Sequence, residues 1–146
     1  MEEEELHNQE ESSRTSIWGW TSNVVEDKSA PLYYSRRAIF YFSLLCGMIF
    51  GVWMLTINFL ISRNNKGLIW LLIFGIIYIS GELLFLYFLP DFLPMLLVIN
   101  FIGAYILNQH FWNKYIGRET KYRAKSIWFF LTLAVIFGFL VLSKVI

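Results

Sequence analysis

Apolar positions gather into four long runs separated by short polar breaks. The first, AIFYFSLLCGMIFGVWMLTINFLI, covers about 38–61, and the others cover about 68–89, 92–110 and 126–143. A helix needs about 20 apolar residues to cross the hydrocarbon core of a bilayer. The pattern therefore predicts an all-α polytopic membrane protein with four transmembrane helices, arranged as two helical hairpins. The breaks are the tight loop Arg63-Asn64-Asn65-Lys66-Gly67, a minimal turn at Leu89-Pro90-Asp91, and a longer loop over 110–125. The third run continues through Asn108, Gln109 and His110 toward Gly117, a stop signal for the helix. The third and fourth runs are short, which implies local thinning of the bilayer or snorkelling at their ends.

A few polar residues interrupt these runs, and they carry most of the chemical information. Glu82 lies eight residues before Pro90 and Asn100 ten after it, so an antiparallel hairpin sets them at nearly one depth. Polar groups are costly there and usually face a partner, so Glu82 and Asn100 are expected to hydrogen-bond. Asn58 is a candidate for an interhelical hydrogen bond. Ser43, Gly47 and Gly51 stand four apart, a small-residue stripe that lets two helix backbones pack closely.

The chain also suggests a tandem repeat of the two hairpins. Gly51 to Phe59 aligns with Gly103 to Phe111 at an offset of 52, and Ile69-Trp70 matches Ile127-Trp128 at 58. Each unit opens a return helix with Ile-Trp after a basic loop, which makes a parallel repeat.

Composition agrees with a membrane protein: 57% of residues are hydrophobic, 19% aromatic and only 16% charged. Soluble domains average about 25% charged. The net charge of +1 conceals an asymmetry, because eight of the eleven acids precede residue 38. Residues 1–37 read as an acidic N-terminal tail, largely disordered, with Ile17, Trp18, Trp20, Val24 and Val25 making 17–25 a candidate interfacial segment. Basic residues concentrate in two loops: Arg63 and Lys66, then Lys114, Arg118, Lys121, Arg123 and Lys125. By the positive-inside rule these loops are cytoplasmic and both termini lie outside, although Arg36-Arg37 beside the first run argues the other way. The same cations suit lipid head groups.

The residues offer no enzyme. No nucleophile–base pair, glycine-rich phosphate loop or zinc spacing is present, so no cofactor and no metal are expected. Cys46 is the single cysteine, which excludes an intrachain disulfide. Nucleic-acid binding has no support.

The segments YYSRRAIFYFS at 33–43, INFIGAYILNQHFWNKYIG at 99–117 and YRAKSIW at 122–128 resemble a group of small bacterial four-helix integral membrane proteins. The likeness covers most of 33–145 and leaves out the acidic tail. Gly117 departs from it, standing where the group carries proline, and Ala124 and Ser126 dilute the basic run before Ile127. The resemblance implies four spans and a bacterial cytoplasmic membrane, and no activity. The leading expectation is a non-enzymatic structural or accessory component of a membrane assembly, partnered by the lipid bilayer and by copies of itself or a larger complex. The alternative is a small transporter or channel subunit that uses Glu82 as its coupling carboxylate.

Overall fold

The computed structural model describes residues 3, 24–26, 28–91, 93–117 and 120–145. The described chain is mainly α-helical. Helix α1 is Arg36–Cys46, α2 Met48–Ser62, α3 Asn65–Phe88 and α4 Leu93–Ile106, which runs on as a π-helical segment, Leu107–Gly117. Helix α5 is Trp128–Val145. Two short strands, β1 Leu32–Tyr33 and β2 Arg123–Ala124, pair in parallel with Leu32 opposite Arg123.

The first apolar run is not a span. Ser35 caps α1 by accepting from the Ala38 N–H at 3.1 Å, and the helix stops after eleven residues at Gly47. Gly47 has φ 101° and ψ 161°, a conformation that a residue with a Cβ rarely adopts. The chain then doubles back as α2. Tyr34 donates its N–H to Asn58 Oδ1 at 2.7 Å, and Asn58 Nδ2 returns a bond to the Tyr34 carbonyl at 3.0 Å. In one straight helix those residues would stand about 36 Å apart. Phe42 stacks on Phe50 across the hairpin, with ring centroids 6.3 Å apart. The two arms measure about 16 and 22 Å, less than the roughly 30 Å of hydrocarbon.

Among the described residues, two helices, not the expected four, are long and apolar enough to cross a membrane: Asn65–Phe88 and Pro94–Gly117. Helices α2 and α5 are apolar but shorter. The expected pairing into two equivalent hairpins changes accordingly. The hairpins are α1–α2 and α3–α4, with α5 added alone. The tandem repeat is not expressed in the fold, because Gly51 lies on a returning arm while Gly103 lies inside a long helix.

The small-residue stripe is also reorganised. Gly47 is the turn, and Ser43 on α1 packs against Gly51 on α2. A Cβ on Gly51 would lie 2.9 Å from Ser43 Cβ and 3.0 Å from Leu107 Cδ1. The close approach is real, but it joins the two arms of one hairpin instead of one face of a single helix to a neighbour.

Arg63, in the left-handed region at φ 55°, closes α2. Asn64 then starts α3 by accepting from the Gly67 N–H at 2.9 Å, and its amide donates to the Tyr115 carbonyl at 2.9 Å. Helices α3 and α4 run antiparallel about the exposed turn at Leu89-Pro90-Asp91, and Gly117 terminates the π segment. Ile39, Met48, Met54, Leu55 and Phe59 of the first hairpin form the core with Leu71, Leu107, Trp112 and Phe130, all fully buried. Helix α5 is attached through rings: Phe130 meets Tyr34 at 5.1 Å and Trp53 at 5.3 Å.

The N-terminal segment lies at the same end of the molecule as the basic loops, against the expectation of opposite sides. Arg123 donates its N–H to the Pro31 carbonyl at 2.8 Å, Lys125 to Tyr33 at 2.7 Å, and Val25 to Tyr122 at 2.9 Å. This follows directly from a first run that returns instead of crossing. The expected disorder of residues 1–16 falls outside the described residues apart from Glu3, as do residues 17–23 of the expected interfacial segment. Val24 bridges to Tyr122 as a strand residue.

Candidate functional site

A helix break inside an apolar environment leaves orphan groups on both sides. The last carbonyls of α1 and the first N–H groups of α2 have no intrahelical partner, and Gly47 has no side chain to cap them. Two polar residues of the α3–α4 hairpin serve them. The Glu82 carboxyl reaches the start of α2, beside the Met48 backbone. Its Oε1 lies 3.6 Å from the position a Gly47 Cβ would occupy. Asn100 Nδ2 donates to the Leu44 carbonyl at 3.3 Å. A carboxylate at a helix N-terminus is also favoured by the helix dipole.

The depth match of Glu82 and Asn100 is therefore seen, since both reach the same turn. Their expected mutual hydrogen bond is not formed: the Asn100 amide is directed at Leu44, and the buried Oδ1 accepts no hydrogen bond. Close packing holds the turn in place. A Cβ on Gly103 of α4 would lie 2.8 Å from Met48 Cε, and Tyr78, one turn before Glu82, donates to the Ile99 carbonyl at 2.5 Å.

A second polar cluster closes the open end of the first hairpin. Besides the Asn58–Tyr34 clasp, the buried Arg36 donates its backbone N–H to the Tyr122 hydroxyl at 3.3 Å and Nη2 to the Asn108 carbonyl at 2.7 Å. Its guanidinium also lies over the Trp112 ring at 5.6 Å. The π-helical segment, with its wider turn, carries Asn108, Phe111 and Trp112 into this cluster. Asn108 Nδ2 donates back to Ala104 at 3.1 Å. Burial pushes the Tyr122 phenol above its ordinary value, and the Arg36 N–H and charge pull part of that shift back. Arg36, Trp112 and Tyr122 were not singled out as a site from sequence. Trp112 reads as an interfacial anchor but is fully buried. One signal was available: Arg36-Arg37 conflicts with the positive-inside rule only if the first run crosses.

Arg63, Lys66, Lys114 and Lys121 are exposed at this same end, with Arg123 and Lys125 half-buried. Arg118 lies outside the described residues. His110 is exposed, and no group of three His, Cys, Asp or Glu side chains able to hold a metal occurs among the described residues.

Among the described residues, the fold and site define a helical protein with two helices suited to crossing a membrane, packed against a shorter helical hairpin. No protein-family model, curated protein or solved structure matches the chain.

Proposed function

We propose that the chain is a multi-pass integral membrane protein without enzymatic activity, a structural or accessory component of a membrane assembly. Helices α3, α4 and α5 cross the bilayer, and α1–α2 is a re-entrant hairpin that enters and leaves on one side. Irregular backbone at membrane depth is tolerated only where protein or water surrounds it. The observation that carries the reading is the commitment of Glu82 and Asn100 to the two helix ends at Gly47. Both polar groups are turned toward the ends of the broken helix, the Asn100 amide donating to the Leu44 carbonyl. Exposed apolar side chains along α3 and α5 supply the lipid-facing surface and room for a second copy or a larger complex.

In this placement the N-terminal segment and all the basic loops share one side. The conflict posed by Arg36-Arg37 disappears, and the positive-inside rule sets this side in the cytoplasm with the C-terminus across the membrane. The resemblance at 33–43, 99–117 and 122–128 supports a bacterial cytoplasmic membrane. Single cysteines at Ser29, Asn64 and Ser143, introduced after Cys46→Ser, test it with an impermeant reagent on intact cells. Ser143 alone should react; reaction at Ser29 without Asn64 would restore a crossing first run.

One observation favours the rival transporter reading: broken helices whose ends meet a carboxylate at membrane depth recur in ion-coupled transporters. Glu82→Gln separates the two. The structural reading expects normal folding and normal function, while the transport reading expects normal folding with loss of activity, because glutamine cannot exchange a proton.

A further inference from the structure

We infer that the basic end of the molecule is a binding surface for anionic phospholipid head groups, and that the turn at Gly47 completes it. The antiparallel pair α3–α4 sets the two basic loops at one end, and the turn, by returning the chain to its starting side, adds the first helix to them. Arg37 comes from the first helix, Arg63 from the α2–α3 loop, Lys66 from the first turn of α3, and Lys114, Arg123 and Lys125 from the π segment after α4 and the segment leading to α5. Glu26, next to the Val25 that pairs with Tyr122, is a carboxylate at this end.

Several of these cations are held in place. Arg123 Nε donates to the Ala30 carbonyl at 3.0 Å. Lys125 Nζ lies 5.1 Å above the Tyr34 ring, and Lys114 Nζ lies 5.4 Å above that of Tyr115. Anchoring on rings and carbonyls lowers the ordering cost of binding while leaving the charges at the surface.

The occupant follows from what lies beneath. Trp70 near the start of α3 and Trp128 at the start of α5, each within a helical turn or so of a basic residue in the chain, are 53% and 73% exposed. Tryptophan prefers the head-group region, and long apolar helices continue below both rings. Cations stacked over exposed indoles over lipid-facing helices match the order of a leaflet: phosphate, interface, hydrocarbon. Clusters of Lys and Arg at that level attract anionic lipids through a field screened within a Debye length. A soluble polyanion would make no use of the indole layer.

The inference rests on the bilayer placement proposed above. The test reconstitutes the full chain into nanodiscs of phosphatidylcholine, with or without phosphatidylglycerol, and measures retained lipid by native mass spectrometry and unfolding temperature. A several-fold preference for phosphatidylglycerol is expected, with a higher unfolding temperature that falls back in high salt. Arg63→Gln/Lys66→Gln, and separately Lys114→Gln/Lys125→Gln, should each reduce that preference, so one misfolding variant does not decide the outcome. Equal retention of both lipids, or an undiminished preference in both variants, overturns the inference. So does inorganic phosphate at matched ionic strength if it reproduces the stabilisation in phosphatidylcholine alone. Failure to enter either bilayer would instead strike at the membrane placement itself.

Discussion

The two hairpins of this protein solve one geometric problem in opposite surroundings. The α3–α4 turn at Leu89-Pro90-Asp91 is exposed, and water can serve its free backbone groups. The α1–α2 turn at Gly47 lies against α3 and α4, where its helix ends meet Glu82 and Asn100. One turn closes with proline and a solvated aspartate. The other closes on a single glycine and draws its caps from a different hairpin. The contrast teaches that a turn packed against other helices is a tertiary object, because the residues that support it are distant in sequence.

The largest effect is expected where the inner hairpin is tightest. Gly51→Leu forces a side chain into Ser43 and Leu107, and overpacking of this kind costs about 1–3 kcal/mol or more. A thermal unfolding scan in detergent should show a large loss of stability. Gly51→Ala combined with Ser43→Gly should recover part of what Gly51→Ala alone loses. No recovery would mean that the two arms do not meet there. Phe50 belongs to the same comparison. It is buried between Phe42 and Phe130, so Phe50→Leu should be clearly destabilising although it lies off any small-residue stripe.

Next come the two turns themselves. Gly47→Ala places a Cβ on a backbone at φ 101°, a strain of about 1–3 kcal/mol. Pro90→Ala at the exposed turn should stay within about 0.5 kcal/mol. Similar losses at both positions would erase the distinction between the hairpins.

The caps rank third. Glu82→Leu removes the polar group beside the first N–H groups of α2, a cost of about 1–3 kcal/mol, while Glu82→Gln keeps an acceptor there and should change little. Asn100→Leu removes the bond to Leu44 and should cost about 0.6 to 2 kcal/mol. Unfolding of the double variant Glu82→Leu/Asn100→Leu tests whether both side chains serve one turn, since groups supporting the same element depart from additivity.

The smallest effect concerns pH. Burial raises the phenols of Tyr33, Tyr34 and Tyr122 above their ordinary value near 10, most of all by disfavouring the charged form. Above pH 10 the unfolded chain sheds protons that the folded chain still holds, so stability falls as pH rises. Below pH 10 these groups contribute no slope. Tyr122→Phe should shift the onset of alkaline unfolding upward, at the expense of the hydrogen bond from the Arg36 N–H.

Much of this molecule was legible along the chain. Helix α3 at Asn65–Phe88 and α5 at Trp128–Val145 match apolar runs read at 68–89 and 126–143, and both the turn before Asp91 and the stop at Gly117 stand where the residues indicate. Those features depend on hydropathy, proline and glycine, which act locally. Glu82, Asn100 and Asn58 were recognisable as residues needing partners, because the cost of an unserved polar group in an apolar setting does not depend on the fold. Their partners were not recognisable. Asn58 bonds the Tyr34 backbone, Asn100 bonds that of Leu44 and Glu82 approaches that of Met48, and a backbone group carries no sequence signature. Hydropathy also measures how apolar a run is and says nothing of whether it goes straight on or turns back. Ala38 to Ile61 is apolar enough for one long helix, and a glycine in its middle is ordinary in such helices. Only contact with α3 and α4, which cap both broken ends and pack Ser43 against Gly51, makes reversal at Gly47 cheaper than continuing.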